Sequence, residues 1–240
     1  VAVLLHGAGH CAQSWSALVS RLNGAVKVIA LDHRGHGASR ASDEGDLRQG
    51  PPPEPAAGLV RSFRTPMRDD GRLVVLVGHS MGGSVAVRSV TVLEEAGFVV
   101  RALVVLDTSE GTAVAAFGRS MAGLRLRPKS FPCVADAVTW ALDSKLLHSR
   151  ESAELSIPCM VVEDGSGGVK WRADVEGSAP HWEGWFKGMS SAFLAVPSRI
   201  PKLLVLSSRD NLDTTLVVGQ MQGGFQLEVL QGGHAIHEVC

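Results

Sequence analysis

Six short apolar segments recur along the chain, and polar or helix-forming stretches separate them. Each has the length of a strand and is rich in Val, Leu, Ile or Ala, a composition typical of buried parallel strands. The segments are residues 1–5, 26–31, 73–77, 102–106, 202–207 and 225–230. Because the first five are almost continuously apolar, we predict that they form strands of a sheet that is covered on both faces.

Helix-forming patterns lie between these predicted strands. The sequence SWSALVSRLN offers Ser14 as an N-cap, and SVAVRSVTVLEEAG ends at Gly97, a residue type that commonly closes helices. Alternating strands and helices predict right-handed βαβ units. The fold class is therefore α/β, with a mostly parallel, doubly wound sheet in a single domain, residues 1–240.

Two segments depart from this alternation. Residues 109–198 contain helix-like patterns near 133–147 and 182–194. An insertion of this size between late strands commonly covers an active site in such folds, so we predict a helical cap. Residues 39–72 contain PPPEP and little hydrophobic periodicity, which is typical of a disordered loop. A crossover helix is still needed there, and only residues 56–63 could supply a turn or two.

Composition excludes several classes of protein. The 240 residues are 45% hydrophobic with a formal net charge of −1, which suits one sizeable core and argues against a nucleic-acid or anionic-membrane partner. No segment resembles a signal peptide or a membrane span. The four cysteines have no metal-binding or disulfide spacing, so we expect an intracellular protein of the cytoplasm or nucleus; they are Cys11, Cys133, Cys159 and Cys240.

The most informative motif joins the third apolar segment to a glycine-rich turn, LVVLVGHSMGG. Ser80 lies at the centre of this Gly-x-Ser-x-Gly pattern, which in α/β-hydrolases forms the sharp strand-to-helix turn called the nucleophile elbow. In a chain with 27 glycines the pattern alone is weak, but here a predicted strand precedes it and a predicted helix follows it. We therefore predict that Ser80 is a nucleophile.

A serine nucleophile needs a base, and the base needs a carboxylate that orients it. His234 in QGGHAIHE is the favoured base because two glycines permit a tight loop before it, whereas His237 is equally well a surface residue. Two carboxylates are serious candidates for the acid. Asp107 ends the segment ALVVLD and Asp210 follows KLLVLSS, with Asp213 a weaker third; placement alone slightly favours Asp210.

The loop HGAGH after the first predicted strand supplies a further element of a hydrolase site. Its small residues allow a backbone N–H to approach a substrate closely, so we predict an oxyanion hole formed by the amides of Ala8, with Gly9 as the alternative, and Met81. The remaining histidines have no catalytic spacing, and we expect structural hydrogen bonds for His6 and His79. The others are His10, His33, His36, His148 and His181; a metal site at His33 and His36 lacks a further ligand, so we expect no metal.

Several longer blocks of sequence carry a family resemblance. LLHGAGHCAQSW, ALDHRGHGAS and GHSMGG are shared by many α/β-hydrolases, whereas LDTSEGTAVAA, RLRPKSF, WEGWFKGMSSAFL, KLLVLSSRDNLD and GQMQGGFQLEVLQGGHAIHE are more specific. In this order the blocks closely resemble the protein phosphatase methylesterase 1 family of the α/β-hydrolase superfamily. The resemblance runs from residue 1 to residue 238 and fails mainly over 39–72 and 149–170.

The resemblance implies a specific reaction. Members of that family hydrolyse the methyl ester on the carboxy-terminal leucine of the type 2A protein phosphatase catalytic subunit, without a cofactor. Their nucleophile, acid and base match Ser80, Asp107 and His234, so the resemblance moves the acid from Asp210 to Asp107. It also implies strands before residue 1 and a helix after residue 240, so we expect the chain to be truncated at both ends.

Two alternatives to the methylesterase stay open from the sequence. The same fold and residues would serve a general carboxylesterase or another hydrolase of small molecules. A truncated scaffold could instead bind the phosphatase without turnover, because the three catalytic residues would no longer be held together.

Overall fold

The computed structural model describes residues 1–39 and 73–238, and within them nine strands are found. The strands are β1 (Ala2–Leu5), β2 (Val28–Leu31), β3 (Leu73–His79), β4 (Val99–Leu106), β5 (Ser130–Phe131), β6 (Val161–Glu163), β7 (Val169–Trp171), β8 (Lys202–Leu206) and β9 (Gln226–Val229). Six of them form one sheet in the order β2-β1-β3-β4-β8-β9, and every neighbouring pair is parallel. The predicted α/β fold with a parallel sheet is therefore confirmed.

All six predicted strands are present in this sheet. β3 runs two residues beyond the predicted end, to His79, and β4 begins three residues before the predicted start, at Val99. The longer β3 matters for the site because its last residue directly precedes Ser80. Strands β3 and β4 are central, and their carboxyl ends lie side by side, with His79 paired to Leu106.

Helices cover both faces of the sheet, as a doubly wound fold requires. The α-helices of the described residues are α1 (Ser16–Leu22), α2 (Met81–Glu95), α3 (Glu110–Arg125), α4 (Val134–Asp143), α5 (Arg150–Met160), α6 (Trp182–Phe186), α7 (Met189–Ala195) and α8 (Thr214–Met221). The period-two alternation of β1 divides the core. Val3 and Leu5 pack with α2 and α7, whereas Ala2 and Leu4 pack against Trp15 and Ile236 on the opposite face.

Residues 109–198, where the sequence predicts a cap, contain α3 to α7 and a small antiparallel sheet of order β5-β7-β6. The sequence indicated only helices here, because strands of two or three residues are too short to show a periodicity. Part of this segment has its own core, which includes Phe131, Ala137 and Ile157. The same core contains Cys11 and Ala235, so it packs directly on the loops that follow β1 and β9.

Some sequence predictions fall outside the described part of the chain. The predicted disordered loop lies almost entirely there, as does the crossover helix at residues 56–63. Cys240 is also outside it. Among the helices of residues 1–39 and 73–238, none is long and apolar enough to cross a membrane.

Candidate active site

The turn that joins β3 to α2 has the backbone geometry of a nucleophile elbow. Ser80 adopts φ 52° and ψ −121°, a conformation that is costly for a residue with a side chain and that often occurs at active sites. The flanking glycines are required for steric reasons. A Cβ at Gly78 would collide with the carbonyl of Gly82, and a Cβ at Gly82 would collide with the carbonyl of Leu5. We call residues 78–82 the nucleophile turn.

Asp107 follows β4 directly and lies next to this turn. Its carboxylate is held on both oxygens, since Oδ1 accepts the backbone N–H of Ser207 at 2.7 Å and Oδ2 accepts Nδ1–H of His234 at 2.8 Å. Burial of this side chain disfavours its charged form, but the hydrogen bonds from His234 and Ser207 outweigh that effect and hold the pKa of Asp107 below its usual range. The carboxylate is therefore ionised at neutral pH.

The other two candidate acids lie in different surroundings. Asp210 belongs to a 3₁₀ turn at Arg209–Asn211 and is exposed, whereas Asp213 accepts the N–H of Leu216 and so caps α8. Asp213 also accepts the hydroxyl of Ser190 at 2.5 Å. Among the described residues, the carboxylate that contacts His234 is that of Asp107.

His234 lies in the loop after β9, and its backbone is held by another histidine. Nε2–H of His79 donates to the carbonyl of His234 at 2.9 Å, and the two rings are 4.7 Å apart. Because Nδ1–H of His234 donates to Asp107, its Nε2 carries the lone pair that can accept a proton. The imidazole is 59% exposed, whereas the Asp107 side chain is only 4% exposed, so the carboxylate orients a ring that stays accessible to a ligand.

His237 is not at the surface, which corrects the expectation from the sequence. Its side chain is buried against Trp15, with ring centroids 4.3 Å apart, and neither ring nitrogen has a hydrogen-bond partner among the described residues. Burial lowers its pKa far below the usual value, so the ring is neutral. His237 fills space beneath the loop that carries His234.

The loop after β1, residues 6–10, is positioned by His36, which comes from a different part of the chain. The backbone N–H of Gly9 donates to Nε2 of His36 at 3.0 Å, and Nδ1–H of His36 donates to the carbonyl of Arg34 at 3.0 Å. The Gly9 amide is therefore engaged, which leaves Ala8 as the favoured donor of this loop towards a substrate. We refer to residues 6–10 as the β1 loop.

His6 and His33 complete the support of the β1 loop. Nδ1–H of His6 donates to the carbonyl of Gly7 at 2.7 Å, and its Nε2 accepts the backbone N–H of His33 at 3.0 Å. Only neutral imidazoles can make this pattern. Burial is the main reason that the pKa of His6 lies well below its usual value and that of His33 is lowered to about 3. The structural role expected for His6 thus extends to His33 and His36, for which no role was predicted from the sequence.

One further cluster of potential metal ligands is present in the described part of the chain. The ligand atoms of His10, His237 and Glu238 lie within 4.8 Å of one another, and all three side chains are buried. Glu238 already accepts hydrogen bonds from Nδ1–H of His10 at 3.1 Å and from the Ser156 hydroxyl at 3.0 Å. This network ties the loop carrying His234 to α5 and accounts for the buried carboxylate without an ion.

Ser80, Asp107 and His234 line one cavity of about 930 Å³, together with Ala8 and Met81. Helix α3 and the segments around α4 and α6 form its outer wall. The wall contains five aromatic residues and three basic residues. The aromatic residues are Phe117, Trp140, Trp182, Trp185 and Phe186, and the basic residues are Arg119, Arg127 and Lys145.

Comparison with known proteins assigns the chain to a family. Residues 2–239 match the alpha/beta hydrolase family. Among curated relatives, the probable protein phosphatase methylesterase 1 of Caenorhabditis elegans is 36% identical over 238 residues, covering 98% of this chain and 64% of that protein. The Schizosaccharomyces pombe protein phosphatase methylesterase 1 is 36% identical, covering 98% of this chain and 69% of that protein. The human protein phosphatase methylesterase 1 is 32% identical, covering 99% of this chain and 72% of that protein. The chain thus spans roughly two thirds of the length of these relatives.

Solved structures agree on the fold. E-2-(acetamidomethylene)succinate hydrolase superimposes with a TM-score of 0.74 at 21% identity, covering 100% of this chain and 86% of that one. A thioesterase domain from the curacin biosynthetic pathway gives a TM-score of 0.67 at 20% identity, covering 99% and 86%. At these identities the likeness concerns the fold alone.

Proposed function

Because this chain belongs to the alpha/beta hydrolase family and, within it, to the family of protein phosphatase methylesterase 1, we propose that it is a serine carboxylesterase that demethylates a protein phosphatase. The observation that carries the proposal is the 2.8 Å hydrogen bond from His234 to Asp107 in the cavity that Ser80 also lines. A nucleophile at an elbow, an oriented imidazole and a buried carboxylate together are the machinery of acyl transfer.

The proposed reaction has two halves. In the first, Nε2 of His234 takes the hydroxyl proton as Ser80 Oγ attacks the ester carbonyl, and the same proton then goes to the departing methoxide, which leaves as methanol. In the second, His234 takes a proton from water, and the resulting hydroxide attacks the acyl-enzyme. Ser80 recovers its proton as the carboxylic acid is released. Asp107 stabilises the imidazolium that forms in each half.

Two backbone amides are proposed to stabilise the tetrahedral oxyanion. Met81 is the first residue of α2, whose N-terminal amides point out of the helix, and Ala8 belongs to the β1 loop. In studied enzymes one such donor contributes roughly 3 kcal/mol to transition-state stabilisation. The engagement of the Gly9 amide by His36 supports Ala8 as the second donor.

For the substrate we propose the carboxy-terminal leucine methyl ester of the type 2A phosphatase catalytic subunit, encountered in the cytoplasm or nucleus. The names of the curated relatives support a protein phosphatase as the substrate. The aromatic residues of the cavity wall, among them Phe117 and Phe186, support an apolar side chain beside the ester. No cofactor takes part in the proposed chemistry.

The test is methanol release from a carboxy-methylated phosphatase catalytic subunit. We expect Ser80→Ala to abolish release and to abolish labelling by a fluorophosphonate probe, whereas Ser120→Ala, an exposed serine that lines the same cavity, keeps both. Full activity of a folded Ser80→Ala protein would refute the proposal. Turnover of small activated esters without turnover of the phosphatase would assign the protein to general esterases. Phosphatase binding without labelling of wild-type Ser80 would indicate a non-catalytic binding protein.

A further inference from the structure

Arg127 occupies an aromatic corner of the cavity. Its guanidinium carbon lies 4.5 Å from the ring centroid of Trp171 and 5.7 Å from that of Trp140. Trp171 is itself fixed, because its indole N–H donates to the carbonyl of Pro128 at 2.9 Å. Cation–π attraction to these rings helps to hold the guanidinium in place, and it does not use the N–H donors of the group.

No carboxylate pairs with Arg127 among the described residues, although the side chain is largely removed from solvent. Burial lowers its pKa to about 10, so the group is still protonated at neutral pH. A charge held in a partly dry site without a counter-charge is costly, and a guanidinium has five N–H donors to satisfy. Such a group is well suited to bind an anion that arrives with a ligand.

The guanidinium also lies close to the β1 loop. Its Nη1 is 3.9 Å from the position that a Cβ on Gly9 would occupy, and Gly9 directly follows Ala8 in the β1 loop. Arg127 and Ser80 line the same cavity. An anion bound by Arg127 would therefore lie in the catalytic cavity, beside the loop that carries the proposed oxyanion donor Ala8.

The other charged residues that line the cavity also favour a negatively charged ligand. Arg119 and Lys145 lie on its outer wall and are exposed. Of the two lining aspartates, Asp107 is engaged by His234 and Asp210 is exposed on a 3₁₀ turn. The lining thus adds two exposed cationic groups to Arg127, whereas its buried carboxylate, that of Asp107, is already hydrogen-bonded to His234.

We propose that Arg127 forms a carboxylate-binding subsite beside the β1 loop and selects peptide esters whose reacting end carries an anionic group. This inference rests on the proposed function, since it concerns the substrate of that site. Two carboxylates that take part in the proposed reaction could bind to this subsite. One is an Asp or Glu side chain a few residues before the methyl ester, and the other is the terminal carboxylate that hydrolysis creates.

The experiment uses synthetic peptide methyl esters in which a single Asp is moved through the five positions before the esterified leucine, each with a matched Asn peptide. If the subsite binds a substrate side chain, we expect Asp at one position to lower KM about tenfold relative to Asn in the wild-type protein. Arg127→Gln should bring that ratio to about one while keeping kcat on the Asn peptide. Arg127→Lys should recover part of the ratio, because it keeps the charge without the planar fork.

A second arm tests the product carboxylate. Free-acid and carboxamide forms of the demethylated Asn peptide are compared as inhibitors. If the subsite binds the product terminus, we expect the free acid to inhibit about tenfold better than the amide in the wild type and equally well in Arg127→Gln. Arg150→Gln, which removes an exposed arginine of α5 that pairs with Glu154, should leave both discriminations unchanged.

Two outcomes would overturn the subsite. One is that wild-type protein discriminates neither Asp from Asn nor acid from amide. The other is that Arg127→Gln lowers kcat on all esters equally with both discriminations kept, which would assign Arg127 to fold or oxyanion support. Failure of the proposed function looks different, because then no peptide methyl ester of the series is hydrolysed at all.

Discussion

The nucleophile turn and the β1 loop face the same cavity, but different forces hold them. The nucleophile turn is determined by backbone packing, since Gly78 and Gly82 lie so close to neighbouring carbonyls that no side chain fits. The β1 loop is held instead by side chains, through hydrogen bonds to and from the rings of His6 and His36. The nucleophile turn therefore depends on steric fit, whereas the β1 loop depends on imidazoles that must stay neutral. This difference predicts that the two regions respond differently to mutation and to pH.

The largest effect should come from Asp107, whose carboxylate joins Ser207, just after β8, to His234. Asp107→Asn keeps the shape of the side chain but removes the charge that orients the imidazole, so we expect kcat on a small activated ester to fall by about 10⁴-fold. Asp210→Asn is the matched control, and its kcat should stay within about threefold of wild type, because Asp210 does not contact His234. Equal losses in the two variants would return the acid role to Asp210.

A smaller effect should follow from breaking the packing of the nucleophile turn. Gly82→Ala places a methyl group against the carbonyl of Leu5, which is backbone and cannot move aside cheaply. We expect the free energy of unfolding to fall by about 3 kcal/mol or more. Gly118→Ala in α3 meets nothing within 4 Å and should leave stability equal or higher by up to about 1 kcal/mol. Denaturant unfolding measures both, and a Gly82→Ala protein as stable as wild type would contradict the steric account.

The same contrast explains what the sequence could reveal. The six strands and the position of Ser80 follow from short-range patterns: apolar runs for the strands and two glycines around a serine for the turn. Such patterns can be recognised without knowledge of the fold. The hydrogen-bond partners of His36 and His6 do not follow from such patterns. His36 accepts the N–H of Gly9, 27 residues away, and His6 accepts the N–H of His33 over the same separation. A pattern of neighbouring residues contains no trace of such pairings.

The carboxylate partner of His234 could be predicted only in part from the sequence. Asp107 and Asp210 both follow strands in the interior of the sheet, β4 and β8, so residue placement alone could not separate them and slightly favoured Asp210. The contact with His234 depends on the backbone of Asp107, which has φ 47°, and on the N–H of Ser207 that holds its other oxygen. Neither feature can be derived from local sequence. Only the resemblance to a family favoured Asp107 over Asp210, and the catalytic role of Asp107 remains a prediction that the Asn variants test.

The smallest effect concerns the pH response of the β1 loop. Burial lowers the pKa of His36 below its unfolded value of 6.5, so below that pH the unfolded chain binds a proton that the folded chain excludes. Stability from neutral His36 is therefore complete above pH 6.5 and is lost as the pH falls. We expect this residue to contribute a slope of at most about 1.4 kcal/mol per pH unit to the unfolding free energy.

The variant His36→Gln tests this expectation. Glutamine offers the Gly9 amide an acceptor that does not titrate, so the unfolding free energy of the variant should fall less steeply between pH 6.5 and 5.0. Urea unfolding of both proteins at pH 7.5, 6.0 and 5.0 measures the difference, with the values at pH 7.5 reporting the packing change alone. Parallel pH dependences would show that the loop does not depend on a neutral imidazole at this position.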